Sequence, residues 1–468
     1  MHVEQLYTNC LAQATYYIES EGEAVIIDPL RDVDDYIAKA KERGAIIKYI
    51  FETHFHADFV SGHIDLAKKT GATIVFGPTA KTGFPIHEAK DGEKIKVGKV
   101  TFEVLHTPGH TPESSCYLLY EEKNVPHSVF TGDTLFVGDV GRPDLLDGVM
   151  TKEELAGMMY DSLNNKLKTL PDDLTVYPAH GPGSACGKNI GKETYTTIGQ
   201  QKQLNYALQD MDKKTFIKVL TDGLAPAPAY FFADATMNKA GYTAFDEVIA
   251  KAQKAFTTKE FETEAAKGAV IIDTRTPNDF EKGFIPQSIN IGLDGQFAIW
   301  AATLIDVKTP VLLVCDNGKE EQAITRLART GFENIVGYLK GGMPTWKKAK
   351  RLIDMIISVE PEELEIDYKH SPITVLDVRK EAEFVDGHIK DAKWLTLQDL
   401  EKNIKDLNKD TDYYIHCAGG YRSMVAASIL KKHGFLRVRN VYGGFGKIKE
   451  TDIPIQQKKV TKKAATAN

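Results

Sequence analysis

Short apolar runs bounded by polar loops recur along the N-terminal half of the chain. Residues 16–19 and 24–27 are rich in β-formers around Glu21-Gly22 and predict a hairpin. Asp32 is placed to cap a helix carrying Tyr36, Ile37 and Ala40 that closes at Gly44. The run 46–51 reads as a buried strand, 64–68 as a short helix ending at Gly71, and 73–76 as another strand. Further strand-like runs cover 100–105, 128–130 and 174–177. Beyond Pro226 and Pro228, which resist helix, Tyr230 to Phe232 is expected to pack back, and 239–256 reads as a helical connection.

Chemistry-bearing residues follow those strands. Thr53-His-Phe-His-Ala-Asp-Phe59 comes directly after the 46–51 run, and Thr107-Pro-Gly-His-Thr111, Thr131-Gly-Asp133 and Pro178-Ala-His180 come after later ones. Loops at one edge of a shared sheet can bring such residues together. His54, His56, Asp58, His110, Asp133 and His180 are therefore candidate metal ligands, because imidazoles and carboxylates are the donors a metal takes. Arg142, in Gly141-Arg-Pro-Asp144, is a candidate anchor for an anionic substrate; the alternative is an Arg142–Asp144 pair that stiffens the loop.

The C-terminal half repeats itself. Val270-Ile-Ile-Asp-Thr-Arg275 matches Thr374-Val-Leu-Asp-Val-Arg379, and each is followed by Phe (280, 384) and Gly-x-Ile (from 283 and 387). Each copy continues with a strand, a helix ending at Gly (331, 434) and a Gly-Gly pair, the pattern of a small parallel α/β domain in tandem. In the second copy a strand delivers Cys417 into Ala-Gly419-Gly420-Tyr421-Arg422-Ser423, just before a helix. Inward-pointing N–H groups, the helix N-terminus and Arg422 would favour a thiolate and hold an anion. The first copy has Cys315-Asp-Asn-Gly-Lys-Glu-Glu321 instead, one residue shorter to its closing glycine and without an arginine. Carboxylates there raise a thiol pKa, so this copy is expected to be catalytically inert.

Charge and cysteine usage narrow the functions. Fifty-eight basic residues against 65 acidic ones give no broad basic surface, so nucleic acid is not an expected partner. No apolar run approaches the length of a membrane span, and Met1-His-Val-Glu-Gln lacks the regions of a signal peptide. Five widely spaced cysteines are not a disulfide framework; they suit a reducing cytoplasm.

The order THxHAD, TPGHT, TGD, PAHG resembles the metallo-β-lactamase family in its glyoxalase II and persulfide dioxygenase branch, over roughly 1–245. The repeat resembles rhodanese domains, whose sulfur-carrying loop is Cys-x4-Arg. Together they are similar to persulfide dioxygenase–rhodanese fusions of sulfide detoxification. The resemblance implies a multidomain α/β and α+β chain: a metallo-β-lactamase αββα sandwich (1–245), an inert rhodanese-like domain (256–352), an active rhodanese domain (358–456) and a flexible Lys-rich tail (457–468). It implies one mononuclear, non-haem Fe(II) on His54, His110 and Asp133, a facial triad with open positions, with His56, Asp58 and His180 around it orienting ligands or protons. Phe59 stands where two-metal hydrolases of the fold carry a histidine, which argues for one metal.

The expected activity is oxidation of a low-molecular-weight thiol persulfide by O2 to sulfite and thiol. Cys417, with Arg422, would then pass sulfane sulfur to sulfite, giving thiosulfate. Arg142, Asp144, Cys186, Gly419, Gly420, Tyr421 and Ser423 are the expected substrate contacts. A glyoxalase II-like zinc thioester hydrolase fused to a sulfurtransferase, and a non-enzymatic persulfide carrier, stay open as alternatives, as does self-association into a homo-oligomer.

Overall fold

In a computed structural model, residues 1–145 and 150–457 are described. They form two compact units: Met1–Ile249 with Ala301–Lys308 and Thr325–Glu333, and the remainder. In the first unit, His2–Thr8 (β1), Gln13–Ser20 (β2), Glu23–Ile27 (β3), Ile46–Phe51 (β4), Thr73–Phe76 (β5) and His87–Glu88 (β6) form one mixed sheet in sequence order. Lys94–Val97 (β7), Val100–His106 (β8), Ser115–Tyr120 (β9), Pro126–Gly132 (β10), Thr175–Pro178 (β11) and Thr196–Thr197 (β12) form a second. Side chains alternate along a strand, so each sheet has one inward face. Tyr16, Ile27, Phe51 and Val75 of the first meet Phe102, Val104, Tyr117 and Phe130 of the second in one core. Phe51 is its hinge point, stacked on Tyr117 at 4.6 Å and edge-on to Phe102 at 5.1 Å.

Separate apolar clusters cover the outer faces. The helices Asp34–Glu42 and His63–Thr70 contribute Tyr36, Ala40 and Leu66 to one, and Lys152–Asn165 and Lys213–Thr221 contribute Met159, Leu163, Phe216 and Leu220 to the other. The unit is an αββα sandwich.

Two local expectations fail. Asp32 does not cap the helix Asp34–Glu42, whose N-cap Val33 makes no side-chain bond; its carboxylate accepts instead from Arg329 Nε (2.7 Å) and Nη2 (2.6 Å). Nor is 239–256 one helix: Phe231–Ala240 ends at Gly241, φ 107°, and Phe245–Ala252 starts anew. Tyr230 and Phe231 do pack into the unit, whereas Phe232 is exposed. The Lys-rich segment from 458 onward lies outside the described residues.

The second unit carries the repeat. Ala255–Phe256 (β13), Val270–Asp273 (β14), Ile289–Asn290 (β15), Val311–Val314 (β16) and Ile335–Leu339 (β17) pair in the order β13-β17-β16-β14-β15. Ile357–Val359 (β18), Thr374–Asp377 (β19), Lys393–Trp394 (β21), Tyr413–His416 (β22) and Val438–Val441 (β23) pair as β18-β23-β22-β19-β21, with His388–Ile389 (β20) beside Ile455–Gln456 (β24). Every pairing in the two five-stranded sheets is parallel.

The repeated residues are framework. Arg275 Nη2 donates to Asp273 (2.6 Å) and the Gly283 carbonyl (3.1 Å); Arg379 Nη2 donates to Asp377 (2.6 Å) and the Gly387 carbonyl (2.7 Å). A Cβ on Gly342 would stand 2.5 Å from the Cys315 carbonyl oxygen, and one on Gly444 would clash with that of Cys417, which accounts for the second glycine of each Gly-Gly pair. Removing one member of a buried ion pair costs about 3–5 kcal/mol. Asp377→Ala should therefore lower the urea midpoint of the second copy, read by the fluorescence of Trp394, whose Nε1 donates to the Arg379 carbonyl. An unchanged midpoint would remove the clip from the account of the fold.

Candidate metal centre and thiol site

Buried strands deliver the polar loops to one edge of the sandwich. The motif after β4 supplies His54, the loop after β8 supplies His110 and the end of β10 supplies Asp133. All three are at most 1 % exposed. His110 Nδ1 lies 2.8 Å from the Arg142 carbonyl oxygen, which can only accept, so Nδ1 carries the proton and Nε2 a lone pair. Thr53 Oγ1 gives its proton to Asp28 (2.9 Å) and so accepts from His54 Nδ1 (3.0 Å), which frees His54 Nε2 in the same way. Both Nε2 atoms converge on Asp133 Oδ2, at 3.7 Å for His54 and 3.4 Å for His110.

Those three atoms are buried and have no hydrogen-bond partner. Orphaned buried polar atoms are costly, and donors about 2.1 Å from one ion stand roughly 3–3.5 Å apart, so the triad fits a metal. Burial, reinforced by neighbouring His56, pushes His54 toward its neutral form, and burial does the same to His110. Burial opposes ionisation of Asp133, but the charge and hydrogen bond of His180 outweigh it and hold the carboxylate well below its ordinary value.

The other predicted residues lie beside the triad. His180 sits between two carboxylates, Nδ1 at 2.7 Å from Asp133 Oδ1 and Nε2 at 2.8 Å from Asp58 Oδ2. Burial favours neutral His180, but Asp133 and then Asp58 raise it well above an ordinary histidine, making it an imidazolium. His56 Nε2 faces Asp28 Oδ1 at 3.1 Å and Glu52 Oε2 at 3.7 Å. Donor atoms of His56, Asp58 and His180 also fall within 4.8 Å of one another, as do those of Asp133, His180 and Cys186. Phe59 is fully buried, its ring 4.4 Å from that of His56 and 6.5 Å from that of His180.

Arg142 is engaged within its own loop. Nε and Nη2 donate to Asp144 at 2.6 and 2.8 Å, and Nη2 also to the Ala225 carbonyl. Cys186 is buried, and burial raises its thiol well above the ordinary value. Sequence reasoning missed Asp28 and Glu52, whose signal is an acid at the end of each of two adjacent strands, β3 and β4.

The thiol site lies where β22 ends. Cys417 Sγ accepts from the Gly420 N–H at 3.1 Å and lies 3.6 Å from Ser423 Oγ, and the helix Tyr421–Lys432 starts there. Tyr421 Oη donates to the Gly292 carbonyl at 2.8 Å. A Cβ on Gly419 or Gly420 would meet nothing within 4 Å, so the loop faces open space. Arg422 donates from Nη1 and Nη2 to the two oxygens of Glu383, at 2.7 and 2.8 Å. Glu383 was also missed; its signal is an acid just before the repeated phenylalanine. Cys315 in the first copy is buried, and burial, with Glu320, Asp273 and Asp316 nearby, pushes its thiol up to about 12.

Family models place this arrangement. The metallo-beta-lactamase superfamily model matches residues 8–180, across the triad and His180. A crystal structure described as a metallo-beta-lactamase from Staphylococcus aureus is 33% identical, with TM-score 0.65, covering 73% of this chain and 99% of that one. The chain belongs to the metallo-β-lactamase superfamily. Two rhodanese-like domains follow, matched over 257–349 and 360–451. Within the superfamily the N-terminal half is 31% identical to the mitochondrial persulfide dioxygenase of Homo sapiens, over 48% of this chain and 83% of that protein. It is also 30% identical to the hydroxyacylglutathione hydrolase GloC of Haemophilus influenzae, over 40% of this chain and 88% of that protein.

Two measurements check the sites. His110→Ala should reduce metal content, read by elemental analysis, from about one ion per chain to near zero, whereas Phe59→His should raise it toward two. Metal retained by the first variant would displace the triad. At about pH 8, where exposed thiolates alkylate readily, Cys315 should stay unlabelled by iodoacetamide in the folded chain and label on unfolding; fast labelling of folded protein would contradict its burial.

Proposed function

We propose that the metallo-β-lactamase domain binds one Fe(II) and oxidises a low-molecular-weight thiol persulfide with O2, and that the second rhodanese domain turns the sulfite formed into thiosulfate. The observation that carries the first half is the set of three orphaned donor atoms on His54, His110 and Asp133. Two histidines and one carboxylate suit non-haem iron, which would supply open positions for O2 and for the persulfide sulfur. His180 Nδ1 donates to Asp133 Oδ1 at 2.7 Å and so orients that ligand, while its Nε2 faces Asp58 Oδ2 at 2.8 Å. Phe59 walls the His56 side with an apolar ring. That ring supports a single metal.

The oxidation balances as R–S–SH + O2 + H2O giving R–SH, sulfite and two protons, with four electrons passing from the terminal sulfur to O2. Cys417 then holds a sulfane sulfur taken from another persulfide. Sulfite attacks that outer sulfur, the bond to Cys417 Sγ breaks, and thiosulfate leaves while Cys417 returns as thiolate. The Gly420 N–H at 3.1 Å stabilises negative charge on Sγ. Five free thiols fit the reducing conditions of a cytoplasm.

A second reading, a zinc thioester hydrolase with an attached sulfurtransferase, draws on the convergence of His56, Asp58 and His180. Iron-loaded protein given a thiol persulfide should consume O2 in an oxygen electrode and release sulfite. Zinc-loaded protein hydrolysing S-lactoylglutathione without O2 uptake would favour the hydrolase. Cys417→Ser should leave O2 uptake and sulfite release intact and abolish thiosulfate formation; thiosulfate at the parent rate would remove Cys417 from the scheme.

A further inference from the structure

The thiol loop holds a charge arrangement that catalysis at Cys417 does not by itself require. Arg422 projects toward the sulfur loop, and one N–H of each terminal nitrogen goes to a single carboxylate, in a two-toothed fork at 2.7 and 2.8 Å. Glu383 is itself fixed, because its Oε2 also accepts from the Lys380 N–H at 3.0 Å. Burial works against its ionisation, but Arg422 overcomes that and keeps it charged. Among the other guanidinium groups of this copy, Arg379 is committed to Asp377 and the Gly387 carbonyl and stacks on Phe445 at 3.9 Å, and Arg437 and Arg439 donate to the Asp410 carbonyl and to Asp412. The anion site above Gly419 and Gly420 therefore works with an arginine whose charge is already balanced, leaving backbone N–H groups and the helix N-terminus as the attraction.

The first copy supplies an internal comparison. Its residue at the matching place, Asp279, precedes Phe280 as Glu383 precedes Phe384. Its carboxylate is turned to Thr276, with Oγ1 to Oδ2 at 2.7 Å. The loop opposite carries Asp316, Lys319 and Glu320, and no arginine. A carboxylate thus stands at this place in both copies, but it is paired with an arginine only in the second, while the Asp-x-Arg clip and the Gly-Gly pair persist in both.

We propose that Glu383 is a positioning and specificity-determining residue of the rhodanese site: it aims Arg422 and cancels its charge, so that the site favours sulfur donors carrying one negative charge over those carrying two. This rests on the reading of Cys417 as the sulfur carrier and goes beyond it by naming the charge class of the donor. A persulfide, R–S–S⁻, is monoanionic at its reacting end, whereas thiosulfate is a dianion. A site that holds the dianion weakly releases thiosulfate readily once it has formed.

Two donors of the same kind separate charge from chemistry. With thiosulfate, Cys417 thiolate attacks the outer sulfur, the S–S bond to the sulfonyl sulfur breaks and sulfite leaves, giving Cys417–S–S⁻. With methanethiosulfonate the same bonds form and break, and methanesulfinate leaves. The experiment measures kcat and KM for both donors in full-length protein, with cyanide as acceptor, for the parent and for Glu383→Gln, which keeps the size and one acceptor oxygen but removes the charge. The ratio of kcat/KM for thiosulfate to that for methanethiosulfonate should rise roughly tenfold in Glu383→Gln, the effect of one unit charge across a partly solvated site. The gain should lie in a lower KM for thiosulfate, with kcat for both donors reduced as Arg422 loses its aim.

Glu383→Asp keeps the charge on a shorter arm. It should lower kcat for both donors while leaving the ratio within about twofold of the parent. A ratio unchanged in Glu383→Gln, or a parallel loss of kcat with both KM values unmoved, would overturn the proposal and leave Glu383 a structural partner only. Failure of both donors in the parent protein would overturn the role of Cys417 instead, so the two readings fail in distinguishable ways.

Discussion

Asp133 divides its two carboxylate oxygens between two tasks. Oδ1 accepts from His180, which is held on its far side by Asp58, and Oδ2 faces the bare Nε2 atoms of His54 and His110. A fully buried carboxylate oxygen without a proton donor is expensive to maintain. The surrounding hydrogen bonds leave no cheaper arrangement. The Arg142 carbonyl fixes the tautomer of His110, and the Asp28–Thr53 pair fixes that of His54, so neither ring can rotate a proton toward Asp133. The framework is preorganised around a charge that the protein atoms themselves do not provide.

That arrangement explains which residues could be read from the chain. Histidines and acids at strand ends were visible because strand periodicity is short-range: the run 46–51 and the motif after it are adjacent, and so are β10 and Asp133. The convergence of four loops was visible only as motif order, since the distances that join His54 to His110 and Asp133 belong to tertiary structure. Tautomers, and the division of labour between Asp133 Oδ1 and Oδ2, depend on carbonyls and hydroxyls such as those of Arg142 and Thr53, whose partners no spacing rule specifies. Arg142 itself shows the limit, because a residue type suited to an anionic substrate proves to have its side chain engaged by Asp144 and its carbonyl by His110.

The same distinction accounts for the local misses. Asp32 has the chemistry of a helix cap and the right position for one, but a guanidinium offers it two charge-assisted hydrogen bonds, stronger than the single bond a cap makes to a backbone N–H. The connection 239–256 has helical composition throughout, yet Gly241 adopts a positive φ and divides it. Propensity acts as a weak prior that one strong contact or one glycine overrides.

The two rhodanese-like domains act as a controlled comparison, since they share an architecture and differ at the loop. What they share is the buried arginine clip at the end of the first long strand and the glycine that lets the chain pass the cysteine carbonyl. Removing either would break the parallel sheet or the loop's seat, so these positions answer to folding in both copies. What they do not share is Gly420, Arg422 and its pairing with Glu383, together with a thiol whose sulfur meets a backbone N–H. Both cysteines are buried, but Cys315 in the first copy has carboxylates where the cation would be, and its thiol is held in the protonated form. Identity between the copies therefore marks structure, and divergence marks chemistry. By that criterion it is the pairing of Glu383 with Arg422, and not the carboxylate alone, that sets the second copy apart, although Glu383 lies on a different element from the loop it contacts.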